Sequence, residues 1–208
     1  GVEDFLPNSQ YAISEHRNKI IEDIADKWFD LSRGSKFHAI LATNSIPEAI
    51  EYYHLFKEKL PWLKTTCLFD PNIDAKGISE KERDKAQYKQ DGLVEIIDDY
   101  NKRYEQNFSL GTHAAFKKDL ALRLAHKEYY KAIDRQPDKQ LDLLIVVDQM
   151  LTGFDSKWVN TLYIDKMMEY ENIIQAFSRT NRLFGPDKPF GVIRYYRRPH
   201  TMRRNIDR

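Results

Sequence analysis

The sequence has one cysteine, no charge excess of either sign and no long apolar run. Cys67 alone cannot form an internal disulfide, which favours a reducing compartment. No stretch approaches the roughly 20 consecutive apolar residues that span a bilayer, and the first residues lack the basic and apolar blocks of a signal peptide. We therefore expect a cytoplasmic protein with no membrane partner.

Charge is nearly balanced, because 33 Lys and Arg residues stand against 32 Asp and Glu residues and leave a formal net charge of +1. A long-range field that attracts nucleic acid is thereby excluded, so any contact with DNA has to be local. The sequence also has no GxxxxGK[ST] loop and no DExH-type pair to cradle phosphates and magnesium. The six histidines show no tight ligand spacing with Cys67, and we predict no metal site.

Hydrophobic periodicity predicts alternating helices and strands. An amphipathic helix is predicted from Ser14 to Leu31, and Pro47 is placed to open another after the first strand. The near-continuous apolar run Leu141–Asp148 is typical of a central strand covered on both faces. We predict a single doubly wound α/β domain over residues 1–208 with a mainly parallel sheet of five or six strands. Five of them are Phe37–Thr43, Thr65–Phe69, Leu141–Asp148, Thr161–Asp165 and Phe190–Tyr196.

Residues 70–140 are richly charged, and their apolar spacing predicts a helical insertion with exposed helices. Within it, Phe116–Ile133 is the best candidate for the crossover that returns the chain to the sheet. Residues 197–208 are predicted to begin a connector to a following domain. The arginine-rich segment Arg194–Arg208 is interpreted either as a source of DNA phosphate contacts or as connector only.

Ligands of such sheets bind beyond the carboxyl ends of the strands, where two motifs follow predicted strands. In VVDQMLTGFD, Gly153 permits a tight turn from which Asp155 projects, although an ordinary capped loop gives the same pattern. In IIQAFSRTNR, Gln175, Arg179 and Arg182 share one helix face. Two guanidinium groups on one face suit a polyphosphate, while a solvated or salt-bridged basic face is the structural alternative.

The order of these segments carries a family resemblance. A strand ending in ATNS, then VVDQMLTGFD, then QAFSRTNR resembles motifs IV, V and VI of superfamily 2 helicases. The string LLIVVDQMLTGFDSKWVNTLYIDK with IIQAFSRTNR resembles the R (motor and nuclease) subunit of type I restriction-modification enzymes. Ser178 and Asn181 stand where many helicases have glycine, a departure that matches this family.

The resemblance implies the second RecA-like half of an ATP-dependent DNA translocase, within an ATP-dependent type I site-specific deoxyribonuclease. Arg179 and Arg182 would be arginine fingers that reach ATP and Mg²⁺ bound mainly by the preceding domain. Partners would be double-stranded DNA, the N-terminal RecA-like and nuclease domains of the same chain, and the modification and specificity subunits. By the same resemblance, ATP contacts are expected from Gly153, Asp155 and Gln175, and DNA-backbone contacts from Thr43, Asn44 and Thr152.

Lacking a nucleotide cradle, the chain is expected to be inactive as an ATPase alone. A different function remains open, namely a non-catalytic RecA-like module that binds DNA or a partner. A third pattern, Pro137-Asp138 followed by Asp155 and Lys157, has the outline of a nuclease metal site, but it is loose, and motif V explains Asp155 better.

Overall fold

The computed structural model describes residues 14–72, 79–147, 156–168 and 191–197. In these ranges five strands form one sheet in the order β2-β3-β1-β4-β5, and every neighbouring pair is parallel. The strands are β1 His38–Thr43, β2 Thr65–Leu68, β3 Leu143–Val147, β4 Val159–Asp165 and β5 Val192–Tyr195. The α/β class and the parallel sheet predicted from sequence are therefore confirmed, and the arrangement is that of a RecA-like fold.

Four α-helices accompany the sheet in the described residues: α1 Ser14–Leu31, α2 Ile46–Lys59, α3 Glu80–Tyr104 and α4 His113–Ala125. Short 3-10 turns precede and follow α4, at Leu110–Thr112, Glu128–Tyr130, Ile133–Arg135 and Pro137–Lys139. Within the described ranges, no helix is both long enough and apolar enough to cross a membrane.

Local sequence explains where the helices begin. The hydroxyl of Ser45 caps α2 by accepting from the backbone N–H of Glu48, and Pro47 stands in the first turn. Ser79 and Glu82 form a reciprocal capping box at the start of α3. These caps satisfy backbone donors that the first turn of a helix otherwise leaves without partners.

The core lies where the middle of the sheet meets the helices. Every residue of β1 and of β4 is buried, as expected for strands covered on both faces. Helix α1 contributes one apolar stripe at helical spacing to this core: Ile20, Ile21, Ile24 and Trp28. The sequence periodicity of α1 thus corresponds to its buried face.

The described part of the charged segment 70–140 is mainly helical, but it also supplies the core. The first half of α3 has no buried residue, whereas its second half buries Leu93, Ile96, Ile97 and Tyr100 in the main cluster. Helix α4 adds Phe116, Leu120 and Leu124 to the same cluster. The expectation of exposed helices therefore describes the first half of α3 and not the rest of the segment.

Helix α4 ends before the predicted limit at Ile133. His126, directly after Ala125, adopts a left-handed backbone conformation with φ of 53°, and 3-10 turns replace the helix beyond it. The His126 ring stacks on Trp158 with ring centroids 3.9 Å apart, and its Nε2 lies 2.7 Å from Nε2 of His38. A tertiary contact of His126 thus accompanies the end of the helix.

The hydrogen bonds define the protonation of this histidine pair. Nδ1 of His38 bonds to the carbonyl oxygen of Leu141, which can only accept, so Nδ1 carries the proton. Nε2 of the neutral His38 ring then accepts from the Nε2–H of His126. Burial first, then the neighbouring ring, lowers the pKa of His38 to about 3, and burial lowers that of His126 to about 4.

A buried arginine joins α3, α4 and the turns that follow. The side chain of Arg123 is 2% exposed and donates to the hydroxyls of Tyr100 (2.9 Å) and Tyr130 (3.0 Å) and to the carbonyl of Lys139 (2.6 Å). Its guanidinium carbon lies 3.8 Å from the ring centroid of Tyr104. Planar donors and aromatic stacking suit an arginine here and not a lysine.

Candidate functional site

Because the sheet is parallel, the carboxyl ends of its strands lie along the same side of the sheet, which we call the carboxyl edge. Register pairs Thr43, the last residue of β1, with Val147 at the end of β3 and with Asp165 at the end of β4. The segment with the predicted turn motif therefore leaves the sheet beside Thr43 on one side. The segment with the predicted arginine motif leaves it on the other.

Two of the predicted site residues lie at this edge in the described residues. Thr43 is buried, and its hydroxyl donates to the carbonyl of Val146 at 3.0 Å, so it bridges two strands. Asn44 is exposed, and its backbone N–H donates to the carboxylate of Glu48. The predicted residues Thr152, Gly153, Asp155, Gln175, Arg179 and Arg182 lie outside the described residues, and their roles stay predictions.

A buried ionic cluster holds this edge together. Asp165 is 1% exposed, and its Oδ1 accepts from Nε of Arg197 at 2.8 Å and from Nε2 of His16 at 2.9 Å, while its Oδ2 accepts from the hydroxyl of Tyr52. Nη2 of Arg197 lies 3.4 Å from Glu48 Oε2. We call these five residues, His16, Glu48, Tyr52, Asp165 and Arg197, the Asp165 cluster.

Electrostatics inside the cluster follow from burial and pairing. Burial alone would raise the pKa of Asp165, but hydrogen bonds from His16, Tyr52 and Arg197 outweigh it and the pKa is lowered. The pKa of Glu48 is raised, because burial exceeds the effect of Arg197. Since both oxygens of Asp165 accept hydrogen bonds, this carboxylate acts as an anchor and not as a base.

The cluster joins four elements around the predicted DNA-binding edge. His16 belongs to the first turn of α1, Glu48 and Tyr52 to α2, and Arg197 follows β5. The Glu48 carboxylate accepts from Asn44, which links the cluster to the residue that follows β1. The arrangement therefore fixes the backbone from which the exposed Asn44 projects.

Sequence reasoning did not identify the Asp165 cluster. Its members come from positions as far apart as His16 and Arg197, so no local spacing reveals them. A usable signal was an aspartate at the end of an otherwise apolar strand, TLYID. A carboxylate buried there requires a charged or hydrogen-bonding partner from elsewhere in the fold.

Two arginines of the predicted tail segment are engaged within the fold. Nε and Nη2 of Arg194 contact the two carboxylate oxygens of Asp23 in α1 at 3.0 and 2.9 Å. Arg197 belongs to the Asp165 cluster. These two cations therefore stabilise the domain, and the DNA interpretation of the tail rests on arginines outside the described residues.

The looser nuclease pattern and metal binding gain no support here. Asp138 is exposed in the turn Pro137–Lys139, and Asp155 lies outside the described residues. In the part of the chain that the structure describes, no group of three or more His, Cys, Asp or Glu side chains is arranged to hold a metal ion.

Comparison with known proteins identifies the family. The family model described as type I restriction enzyme subunit R domain 3 matches residues 35–198. The chain belongs to this R subunit domain 3 family. Residues 35–198 include the whole sheet, and α1 precedes them.

Relatives of this R subunit domain carry consistent names. The type I restriction enzyme SauMRSORF196P endonuclease subunit of Staphylococcus aureus is 37% identical over 172 residues, covering 80% of this chain and 17% of that protein. The SsaAORF53P endonuclease subunit of Staphylococcus saprophyticus is 35% identical over 201 residues, covering 94% and 20%. The chain thus spans about a fifth of the length of these relatives.

Proposed function

We propose that this chain is the second RecA-like half of the ATP-dependent DNA translocase of a type I restriction endonuclease. In this role it supplies arginine fingers and DNA-backbone contacts, and it does not hydrolyse ATP by itself. ATP and Mg²⁺ would be held mainly by a preceding RecA-like domain of the same polypeptide. Double-stranded DNA and the nuclease, modification and specificity components would be its partners.

The observation that carries the proposal is the parallel order of the sheet. The three motif segments follow β1, β3 and β4, and these strands are neighbours whose carboxyl ends share one edge. In open α/β sheets this edge binds ligands. Family membership and the names of the relatives support a restriction motor as the setting for that edge.

Chemically, ATP would supply the phosphoryl group whose transfer to water drives movement. Arg179 and Arg182 would stabilise the charge that develops on that group, because a guanidinium stays charged and offers a fork of donors. Gln175 would couple the two RecA-like halves, and Asp155, on the loop shaped by Gly153, would contact the nucleotide or the fingers. Asn44 would donate to DNA phosphates without reading sequence.

The test uses the complete R subunit in its enzyme complex. Replacing Arg179 or Arg182 with alanine should lower DNA-stimulated ATP turnover by roughly 10³-fold, the effect expected for an arginine finger. Binding to duplex DNA without ATP should change little, because the fingers act on the nucleotide. Arg135→Ala is the matched control, since Arg135 is exposed in the turn Ile133–Arg135.

Unchanged turnover in both finger variants would contradict the proposal. That result would favour a non-catalytic DNA-binding or partner-binding module. A complementary measurement is ATP hydrolysis by residues 1–208 alone, which should not exceed the buffer rate. Magnesium-dependent turnover by this isolated chain would also contradict the half-motor assignment.

A further inference from the structure

Helix α3 has two halves with different surroundings. From Gly92 onward it packs against α2, and a Cβ built on Gly92 would lie only 2.6 Å from Cδ1 of Ile50. From Glu80 to Asp91 no residue is buried. The first half of α3 is therefore exposed, and we call residues Glu80–Asp91 the exposed arm of α3.

A groove lies between this arm and the start of α2. Its volume is about 590 Å³. It begins at Pro47 in the first turn of α2, three positions after Asn44, and so adjoins the carboxyl edge of the sheet. We call it the lysine groove, after the residues that line it: Pro47, Lys81, Asp84, Lys85, Tyr88 and Lys89.

The lysine groove is locally positive in a chain of almost zero net charge. Lys81, Lys85 and Lys89 line it together with one carboxylate, Asp84. None of the three lysines forms an ion pair within the described residues, whereas the nearby Glu51 is paired with Arg17. A lysine can line a groove with its aliphatic stem while its ammonium group reaches solvent, where an external anion can pair with it.

The spacing of the three lysines matches a linear polyanion. Residues at positions i, i+4 and i+8 share one helix face and rise about 6 Å per step, so the row covers about 12 Å. Along one DNA strand, phosphates rise about 3.4 Å each, and the row spans about three of them. A row that contacts phosphates alone is indifferent to sequence, as a translocating motor requires.

We infer that the lysine groove binds the phosphate backbone of duplex DNA through Lys81, Lys85 and Lys89. It thereby extends the DNA-binding surface from the end of β1 onto the exposed arm of α3. The inference rests on the proposed function and assigns a role to the first half of the charged segment. Duplex DNA is favoured over an acidic protein segment because the groove adjoins Asn44, the proposed backbone contact at the sheet edge.

The test measures equilibrium binding of the complete R subunit complex to a labelled DNA duplex that lacks the recognition sequence of the enzyme. Binding is measured without ATP and over a series of salt concentrations. The triple variant Lys81→Gln, Lys85→Gln, Lys89→Gln should bind on the order of 10²- to 10³-fold more weakly at low salt, because three phosphate contacts are lost. Its slope of log K against log salt should be shallower by about 2 to 3, since each phosphate contact contributes about 0.9. The corresponding triple arginine variant should retain the wild-type slope, because charge and not lysine itself is required.

The matched control removes three cations from another groove. Lys102, Arg103 and Lys139 line a cavity of about 560 Å³ beyond the other end of α3 and form no ion pair within the described part of the chain. Their replacement by glutamine should leave the salt slope unchanged. Equal melting temperatures of the two triple variants and wild type show that the changes do not act through stability.

Three results would overturn the inference. The first is a wild-type salt slope in the variant of Lys81, Lys85 and Lys89, and the second is an equal loss of DNA affinity in the control variant. The third is unchanged DNA binding together with failed assembly of the enzyme complex. The last result would indicate an acidic protein partner. Failure of the proposed function is separable, because it shows as unchanged ATP turnover in Arg179→Ala, whereas this test reads binding without ATP.

Discussion

The buried pair of His38 and His126 makes the stability of the chain dependent on pH between 7 and 5. Both rings are neutral in the folded state, where His38 donates to Leu141 and accepts from His126. Protonating either ring would place a charge in a buried site, and protonating His38 would also remove the acceptor of the hydrogen bond between the two rings. The folded pKa values of about 3 and about 4 reflect this, against an ordinary value of 6.5.

The sign and size of the effect follow from proton linkage. As pH falls through 6.5, the unfolded chain binds protons at both rings and the folded chain does not, so stability is lost. Because both folded values lie below 5, the loss between pH 7 and pH 5 is set by the unfolded pKa alone. At about 1.36 kcal/mol per pH unit over about 1.5 units, each ring contributes a loss of about 2 kcal/mol. The pair contributes about 4 kcal/mol.

The assay is urea unfolding of wild type and His126→Gln at pH 7, 6 and 5. The glutamine amide keeps a donor toward His38 but does not titrate, so the variant should lose about 2 kcal/mol less than wild type between pH 7 and 5. The difference between the two proteins is decisive, since carboxyl groups such as Glu48 titrate in both. Equal pH dependence, or NMR signals of His38 and His126 that titrate near pH 6.5 in the folded wild type, would refute the reasoning.

Three further substitutions test packing and burial, each by urea unfolding. Gly92→Ala gains about 1 kcal/mol of helix propensity but drives a methyl group against Ile50, and the net change should be destabilising by about 1 kcal/mol. In an Ile50→Val background, which removes Cδ1 but leaves the γ carbons at 3.0 and 3.3 Å, the same substitution should cost clearly less; an unchanged penalty would contradict the contact. Asp165→Asn should lower the free energy of unfolding by about 3 kcal/mol, because it leaves the guanidinium of Arg197 buried without its main counter-charge. A loss below about 1 kcal/mol would show that the Asp165 cluster contributes little to stability. Arg123→Lys should be nearly as destabilising as Arg123→Met, since an ammonium cannot reproduce the planar stacking on Tyr104 or the directed hydrogen bonds to Tyr100, Tyr130 and Lys139. Wild-type stability in the lysine variant would contradict this.

Sequence periodicity predicted most of the fold because the elements are locally consistent. Helix α1 has the predicted bounds, Ser14–Leu31, and all five predicted strands are present with ends that differ by at most two residues. A predicted strand end differs from the observed one where the backbone hydrogen bonds of a residue go to a turn and not to the neighbouring strand. Phe37, for example, donates to the carbonyl of Ser32 in a turn and lies just outside β1.

What sequence could not predict depends on contacts between distant positions. The end of α4 at Ala125 coincides with the contact of His126 with His38, and the division of α3 into a packed half and an exposed arm depends on where α2 begins. The Asp165 cluster likewise joins residues from both ends of the described chain. The nucleotide-binding and finger residues came from family resemblance and remain predictions.

The Asp165 cluster also has a topological consequence. His16, at the start of the first helix, and Arg197, after the last strand, bond to the same carboxylate oxygen. A polypeptide that continues on both sides would therefore enter and leave this body at almost one point, as in domains that tolerate insertion into a longer chain or circular permutation.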